Sequence, residues 1–334
     1  MLPDLPAVLS PGFRGCVHIV RDGQPLLTRA TGYADLANQI PNTPATRFAS
    51  ASAGKAFVAV GILRLIQSGR LSPEDTLGRL LDLDLGRIDP HVTVRQLLTH
   101  TSGVPDYFDE SVMDDYEALW RDFPNYRVRK NADLLPLFTG KPMAEPPGAR
   151  FRYNNSGYVL LALVLEAVTG RPFDDAIRDM VFDPCGMKAA GYFALDRLPA
   201  GCANHYIFCP DTGEYRTNIY SVDAKGTGAG GAFITVGDIE AFWRGLLDGR
   251  LLSPSIRAQA FSRQAGSDKG GWYGYGFWLR PRPGHRDAVY FEGCDPGVSF
   301  LSEYDPGTRT LSVLASNYGD NVWREMRRIR EILY

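Results

Sequence analysis

Cysteine is scarce and unpatterned in this chain. Only five occur, at 16, 185, 202, 209 and 294, and no Cys-x-x-Cys pair is among them. Such a set excludes a disulfide framework and a cysteine zinc site and fits reduced thiols, with Cys202–Cys209 as one bridge left open. The five histidines (His18, His91, His100, His205, His285) stand far apart with no HExxH, so no metal site is expected and no cofactor is implied. Long apolar runs are missing too. The most apolar stretch, Tyr158 to Val168, is too short to cross a bilayer and contains Glu166, so no integral membrane association is expected. The opening MLPDLPAVLSPGF carries Asp4 and two early prolines, without a basic leader or a continuous apolar stretch. No signal peptide is read there, and a cytoplasmic location is expected. There is no block of five or more like charges, and the net charge is −2. Nothing in that balance suggests a nucleic-acid partner.

What is present is ordinary in amount. A chain of 334 residues with 44% hydrophobic and 22% charged residues can bury a normal core. Strand signals lie at both ends. Cys16–Arg21 is a β-branched run, Asp22-Gly23 a hairpin turn, and Pro25–Tyr33 a return strand. Ala288–Glu292, Val298–Tyr304 and Thr310–Ser316 follow near the end, the last two joined by Asp305-Pro306-Gly307. Helical spacing marks the stretch after Ser52, then Val94–Thr99, Ser156–Thr169 with Gly170 as its cap, Ile239–Leu247 and Val322–Leu333. The pattern predicts an α+β fold: a central antiparallel sheet built from both termini, flanked by helices, with a mainly helical insertion. We expect a single domain, 1–334, with an α/β subdomain at about 1–85 and 223–334 and a helical one at about 86–222.

Lysine is rare, six against thirty arginines, and one lysine stands out. In Ser52-Ala53-Gly54-Lys55 a serine and a lysine three apart share one face at a helix start. The amides of that helix end would favour charge on the serine oxygen. A serine hydroxyl needs an adjacent base, and a buried lysine can serve, whereas an arginine cannot lose its proton. The spacing alone also fits a capping serine and a surface lysine. Two further segments add weight. Tyr153 and Asn155 in Arg152-Tyr153-Asn154-Asn155 sit at a loop–helix junction. A phenol near a cationic lysine can ionise more easily and shuttle a proton, and a carboxamide can bind a carbonyl or order the lysine. In LLTHTSGVPDY, a helix end entering a structured loop, His100 reads as structural rather than catalytic. Two competing motifs are set aside. Gly226–Gly231 contains GxGxxG without the strand and helix a dinucleotide site needs. No GxSxG occurs, which disfavours a nucleophile elbow. Trp272, Tyr273, Tyr275, Phe277 and Trp278 could line an acyl pocket or simply pack.

Taken together, FASASAGKAFVAVGILRLIQSGRLSPED, LLTHTSGVPDY, PGARFRYNNSGYVLLALVLEAVTG, GTGAGGAFITVGDIEAF and the closing DPGVSFLSEYDP…LSVLASN resemble the serine β-lactamase and penicillin-binding-protein superfamily. The resemblance is to its class C-like branch, which includes D-alanyl-D-alanine carboxypeptidases, D-aminopeptidases and family VIII carboxylesterases. It spans nearly the whole chain. It implies a β-lactamase/transpeptidase-like fold and a serine hydrolase acting through a covalent acyl-enzyme. Ser52 matches the nucleophile, Lys55 its activator, Tyr153 the tyrosine sharing acid/base work, and Asn155 the end of the Tyr-x-Asn motif. Where many members carry Lys-Thr-Gly or His-x-Gly, alignment on Pro296-Gly297 places Phe291-Glu292-Gly293. The amides of Ser52 and Cys294 would then form the oxyanion hole.

The departure at 291 and 292 bears on substrate. Phe291 cannot hold a carboxylate, and Glu292 repels one if it faces the cleft. Strand alternation lets only one of them line the pocket. We expect a small ester, amide or peptide substrate, with neutral or amine-bearing molecules preferred over β-lactams. The alternatives are a D-aminopeptidase or D,D-carboxypeptidase, with Glu292 on the substrate ammonium, and a non-catalytic binding or sensor protein on the same fold. Cys294, beside the expected oxyanion hole, raises the question of a redox-sensitive thiol.

Overall fold

One hairpin near the start of the chain and a long meander near its end join in a single sheet. The computed structural model describes residues 9–267 and 270–333, so Asp4 and most of the segment read for a signal peptide lie outside the described residues. Strands β1 (Gly15–Arg21) and β2 (Gln24–Thr31) turn at Asp22-Gly23, both with positive φ. The distal strands are β3 (Ala265–Gly266), β4 (Trp272–Tyr273), β5 (Trp278–Arg280), β6 (Ala288–Asp295), β7 (Val298–Asp305) and β8 (Thr310–Ser316). They form one antiparallel sheet in the order β2-β1-β8-β7-β6-β5-β4-β3. First and last strands pair directly, Cys16 opposite Ala315 and Arg21 opposite Thr310. The α+β sheet built from both ends of the chain is therefore present. Between residues 86 and 222 the described chain adds no strand to it; the hairpin Tyr206–Cys209 with Glu214–Thr217 stands apart.

Period-two alternation assigns the two faces of the sheet. Val17, Ile19, Leu301 and Leu314 point to one side, where the amphipathic helix Val322–Leu333 lays down Val322, Met326, Ile329 and Leu333. Cys16, Val20, Phe300, Val313 and Ala315 point to the other, into the main core. There lie helices α1 (Lys55–Gln67), α2 (Asn155–Thr169) and α3 (Val236–Leu247). The first two are apolar nearly all round and enclosed by other elements, as such helices must be. We label Val322–Leu333 α4.

Three boundaries differ from expectation for local reasons. The return strand does not reach Tyr33, because Gly32 at φ +73° breaks it after Thr31 and starts the short strand Tyr33–Asp35. The helix after Ser52 opens with a 3-10 turn, Ala51–Gly54, before α1. β6 continues past Glu292 to Asp295, which carries Gly293 and Cys294 along the turn that holds Ser52. All five cysteines are free, so the Cys202–Cys209 bridge is not formed. No helix among the described residues is long and apolar enough to cross a membrane.

Candidate active site

Ser52 sits in a turn whose entry is backbone-strained. Ala51, just before it, has φ +46°, a left-handed conformation that an alanine adopts only when its surroundings enforce it. The enforcement comes from two glycines. An ideal Cβ on Gly230 would stand 2.3 Å from the Ala51 carbonyl oxygen, and one on Gly293 would stand 2.4 Å from that of Ser50 and 2.6 Å from the Ser52 amide nitrogen. The glycine-rich segment 226–231 is thus a close-packed support under the serine, and β6 passes directly against its amide.

One turn on, Lys55 is buried, 2% exposed. Its Nζ lies 2.9 Å from Ser52 Oγ, 2.8 Å from Asn155 Oδ1 and 2.6 Å from the Ala229 carbonyl. Burial lowers its pKa from 10.5 to about 8, against the pull of Glu110, Asp106, Asp295 and Asp223. Asn155 Oδ1 and the Ala229 oxygen can only accept. A neutral Lys55 amine would give them its two N–H bonds and keep its lone pair for the Ser52 proton. The Asn155 amide is itself fixed: its Nδ2 donates to the Phe108 carbonyl at 3.0 Å, which turns Oδ1 toward the lysine. Asp106 accepts from the backbone amides of Asn155 at 2.8 Å and Ser156 at 3.0 Å, and burial raises its carboxyl to about 6. Asn154 caps α2, its Oδ1 accepting from Gly157 N.

Tyr153 stands just before that cap, its ring 4.9 Å from Lys55 Nζ. Its rings of contact are His100 at 4.5 Å and Trp278, stacked at 6.1 Å. The phenol does not ionise more easily here, as the sequence suggested. Burial pushes it well above the ordinary value of 10, and the hydrogen bond with Ser52 only partly offsets that. Tyr153 is therefore a protonated phenol at neutral pH.

The structure separates 291 from 292. Phe291 does not line the cleft: it is 2% exposed and packs among Phe57, Phe242, Trp243, Phe277 and Phe300, because β6 alternation turns it into the core. Glu292 faces the cleft, accepts from Trp323 Nε1 at 2.5 Å, and has its pKa raised by burial. Gly293 is the close-packing point described above. Cys294 is exposed and borders the openings on both sides of Ser52. Desolvation, with Asp295, Glu110 and Glu292, lifts its thiol to about 11, far from the thiolate range of reactive cysteines. Of the aromatic cluster, Trp278 lines the cleft, Phe277 belongs to the core and Tyr273 packs on His100.

Two cavities of about 480 Å³ each meet at Ser52. One is bordered by Tyr153, Trp278, Tyr290 and Glu292. The other runs between Phe108, Met113, Tyr116, Phe193 and Leu195, and it is acidic: Glu110, Asp223 and Asp295 line it. Burial raises Asp223 to about 7 and Asp295 to about 8, Asp223 adding to the latter, while Lys55 pulls both down. Tyr116 donates to Asp223 at 3.2 Å. Sequence reasoning missed this wall. Asp295 was in reach, two residues beyond the aligned glycine, but Asp223 arrives from a loop that no periodicity describes.

The chain belongs to the Beta-lactamase family, whose model matches residues 10–333. A solved structure of a penicillin-binding protein from Bacillus halodurans superposes with a TM-score of 0.94 at 38% identity, over 98% of this chain and 99% of that one. PbpX of Bacillus subtilis (strain 168), named as a penicillin-binding protein, is 27% identical over 93% of this chain and 72% of its own length. A D-aminopeptidase of Cereibacter sphaeroides (strain KD131 / KCTC 12085) is 31% identical over 56% of this chain and 34% of its own length. The fold is thus the β-lactamase/transpeptidase-like one.

Proposed function

We propose that this protein is a serine hydrolase that cleaves an ester or amide carbonyl through a covalent acyl-enzyme. The observation that carries the reading is the buried Lys55, its pKa brought to about 8, with Nζ 2.9 Å from Ser52 Oγ and its other two partners limited to acceptors. Lys55 takes the Ser52 proton as Oγ attacks the carbonyl carbon. The tetrahedral oxyanion is held by the backbone amides of Ser52 and Cys294, donors that matter because the charge appears only in the transition state. The protonated Tyr153 phenol gives its proton to the leaving alcohol or amine as that bond breaks, and recovers one from Lys55. Water then attacks the acyl-enzyme, Lys55 accepting its proton and returning it to Ser52 Oγ as the acid leaves, with Ser52 restored. Asn155 orients Lys55 and borders the acyl side.

Glu292 at the cleft disfavours a substrate carboxylate on the leaving-group side, so neutral leaving groups are preferred to β-lactams. The acidic wall at Asp223, Asp295 and Glu110 favours a second reading of the substrate: an acyl group bearing an ammonium, as a D-aminopeptidase or amidase would take. In that reading the ammonium lies toward Asp223 and Asp295, rather than toward Glu292. A cytoplasmic site of action and the division into subdomains at about 85 and 222 remain part of this proposal.

The test is parallel turnover of p-nitrophenyl butyrate, D-alanyl p-nitroanilide and nitrocefin, each against Ser52→Ala. Serine-dependent cleavage of the ester or the anilide, faster than that of nitrocefin, is the expected result. If the anilide dominates, Asp223→Asn should raise its KM and leave the ester unchanged. Nitrocefin as the best substrate would overturn the role given to Glu292. Silence on all three would favour a binding protein on this fold.

A further inference from the structure

His100 holds the residue before Tyr153 and the residue after it at once. Its carbonyl accepts from Arg152 N at 2.8 Å. Its ring Nδ1 accepts from Asn154 N at 3.1 Å. Between these two anchors, its ring lies against the Tyr153 ring at 4.5 Å between centroids, tilted by 38°. Three contacts from one side chain and its own carbonyl thus fix three consecutive residues, and Tyr153 is the middle one. We propose that His100 is a positioning residue for Tyr153: it sets the height and angle of the phenol over Ser52 and Lys55 without touching the reacting atoms.

The arrangement carries a cost that a passive core residue would not need. The backbone of His100, at φ +56°, is the left-handed residue that ends helix Val94–Leu98, with His100 N donating to the Leu97 carbonyl at 3.3 Å and Thr101 N to that of Gln96 at 2.9 Å, so the cost lies in the ring. Because Nδ1 accepts, the ring proton sits on Nε2, and that buried nitrogen has no hydrogen-bond partner among the described residues. The rings of Tyr158 at 5.0 Å and Tyr273 at 4.7 Å also pack on the imidazole. Burial, with Lys55 nearby, holds the imidazole pKa well below 6.5, so the ring stays neutral and keeps its Nδ1 acceptor over the working range. A buried donor without a partner calls for an explanation, and a role at the neighbouring site supplies one. The capping of α2 needs none of this, since Asn154 Oδ1 already performs it through Gly157 N.

The inference rests on the reading of Tyr153 as proton donor, and the experiment separates the two. His100→Asn keeps an acceptor near the Nδ1 position and tolerates the left-handed backbone, but removes the ring. His100→Phe keeps the ring and removes the acceptor. Tyr153→Phe is the reference. All are assayed with the best chromogenic substrate, rates being normalised to Ser52 labelled at end point by a fluorophosphonate, and melting temperatures are recorded alongside. A displaced phenol should lower kcat in His100→Phe by about a hundredfold with KM nearly constant, the size of loss a misplacement of about 1 Å produces. His100→Asn should recover at least part of that loss. Unchanged kcat per labelled site in both His100 variants, with Tyr153→Phe inactive, would overturn the inference alone, whatever their melting temperatures. Full activity in Tyr153→Phe would overturn the role of Tyr153 and the inference with it.

Discussion

The chemistry proposed at Ser52 depends on one lysine being unlike the other cations of the chain. Lys55 is enclosed by α2 and the 226–231 support, and that enclosure, rather than any single neighbour, brings its pKa to about 8. The sign follows directly. The amine is the competent form above about 8, so kcat/KM should rise with pH and level off there, since that parameter reports the free enzyme's ionisations. A limb nearer 10 would mean an ordinary solvated lysine. Lys55→Arg keeps charge but cannot deprotonate, and should lose nearly all turnover; an active variant would refute the lysine-base assignment. The residues of this centre were legible because five segments in order resemble a known superfamily, whereas the spacing of Ser52 and Lys55 alone also fits a capping serine and a surface lysine. The protonation state of Tyr153 was not legible, because it depends on burial by residues far along the chain.

At the scale of elements, the site is an edge of β6 pressed against the 3-10 turn that precedes α1. Strand parity was readable and decisive: it assigned 291 and 292 to opposite faces, and the structure sends Phe291 to the core and Glu292 to the cleft. The turn was not readable, since its form is imposed by backbone contacts from Gly230 and Gly293, and a glycine in a sequence does not announce what packs on it. Gly293→Ala tests that contact. Its methyl group would meet three backbone atoms, of Ser50, Ser52 and Ala53, which cannot swing aside as a side chain could. The expected outcome is a destabilisation of about 1–3 kcal/mol in a denaturant titration, with turnover reduced further than stability accounts for. Turnover falling only in proportion to the folded fraction would show that the strand supports the fold without shaping the oxyanion region.

Across the whole molecule, the two ends of the chain close one sheet, and the segment between them brings its loops to the face where α1 begins. The sheet was anticipated because hairpin turns and period-two runs are local signals. The acidic wall escaped because Glu110, Asp223 and Asp295 lie far apart along the chain, and only the folded chain brings them to one cavity. The same argument limits what motifs establish: five segments in order identify a fold, while the substrate is chosen by residues between them. The covalent step is the point on which the account stands or falls. The most direct measurement is intact mass after treatment with a fluorophosphonate, followed by peptide mapping, for the protein and its Ser52→Ala variant. The account predicts a single adduct on the peptide carrying Ser52, absent from the variant. No adduct on the folded protein, or an adduct that persists in Ser52→Ala, would contradict it.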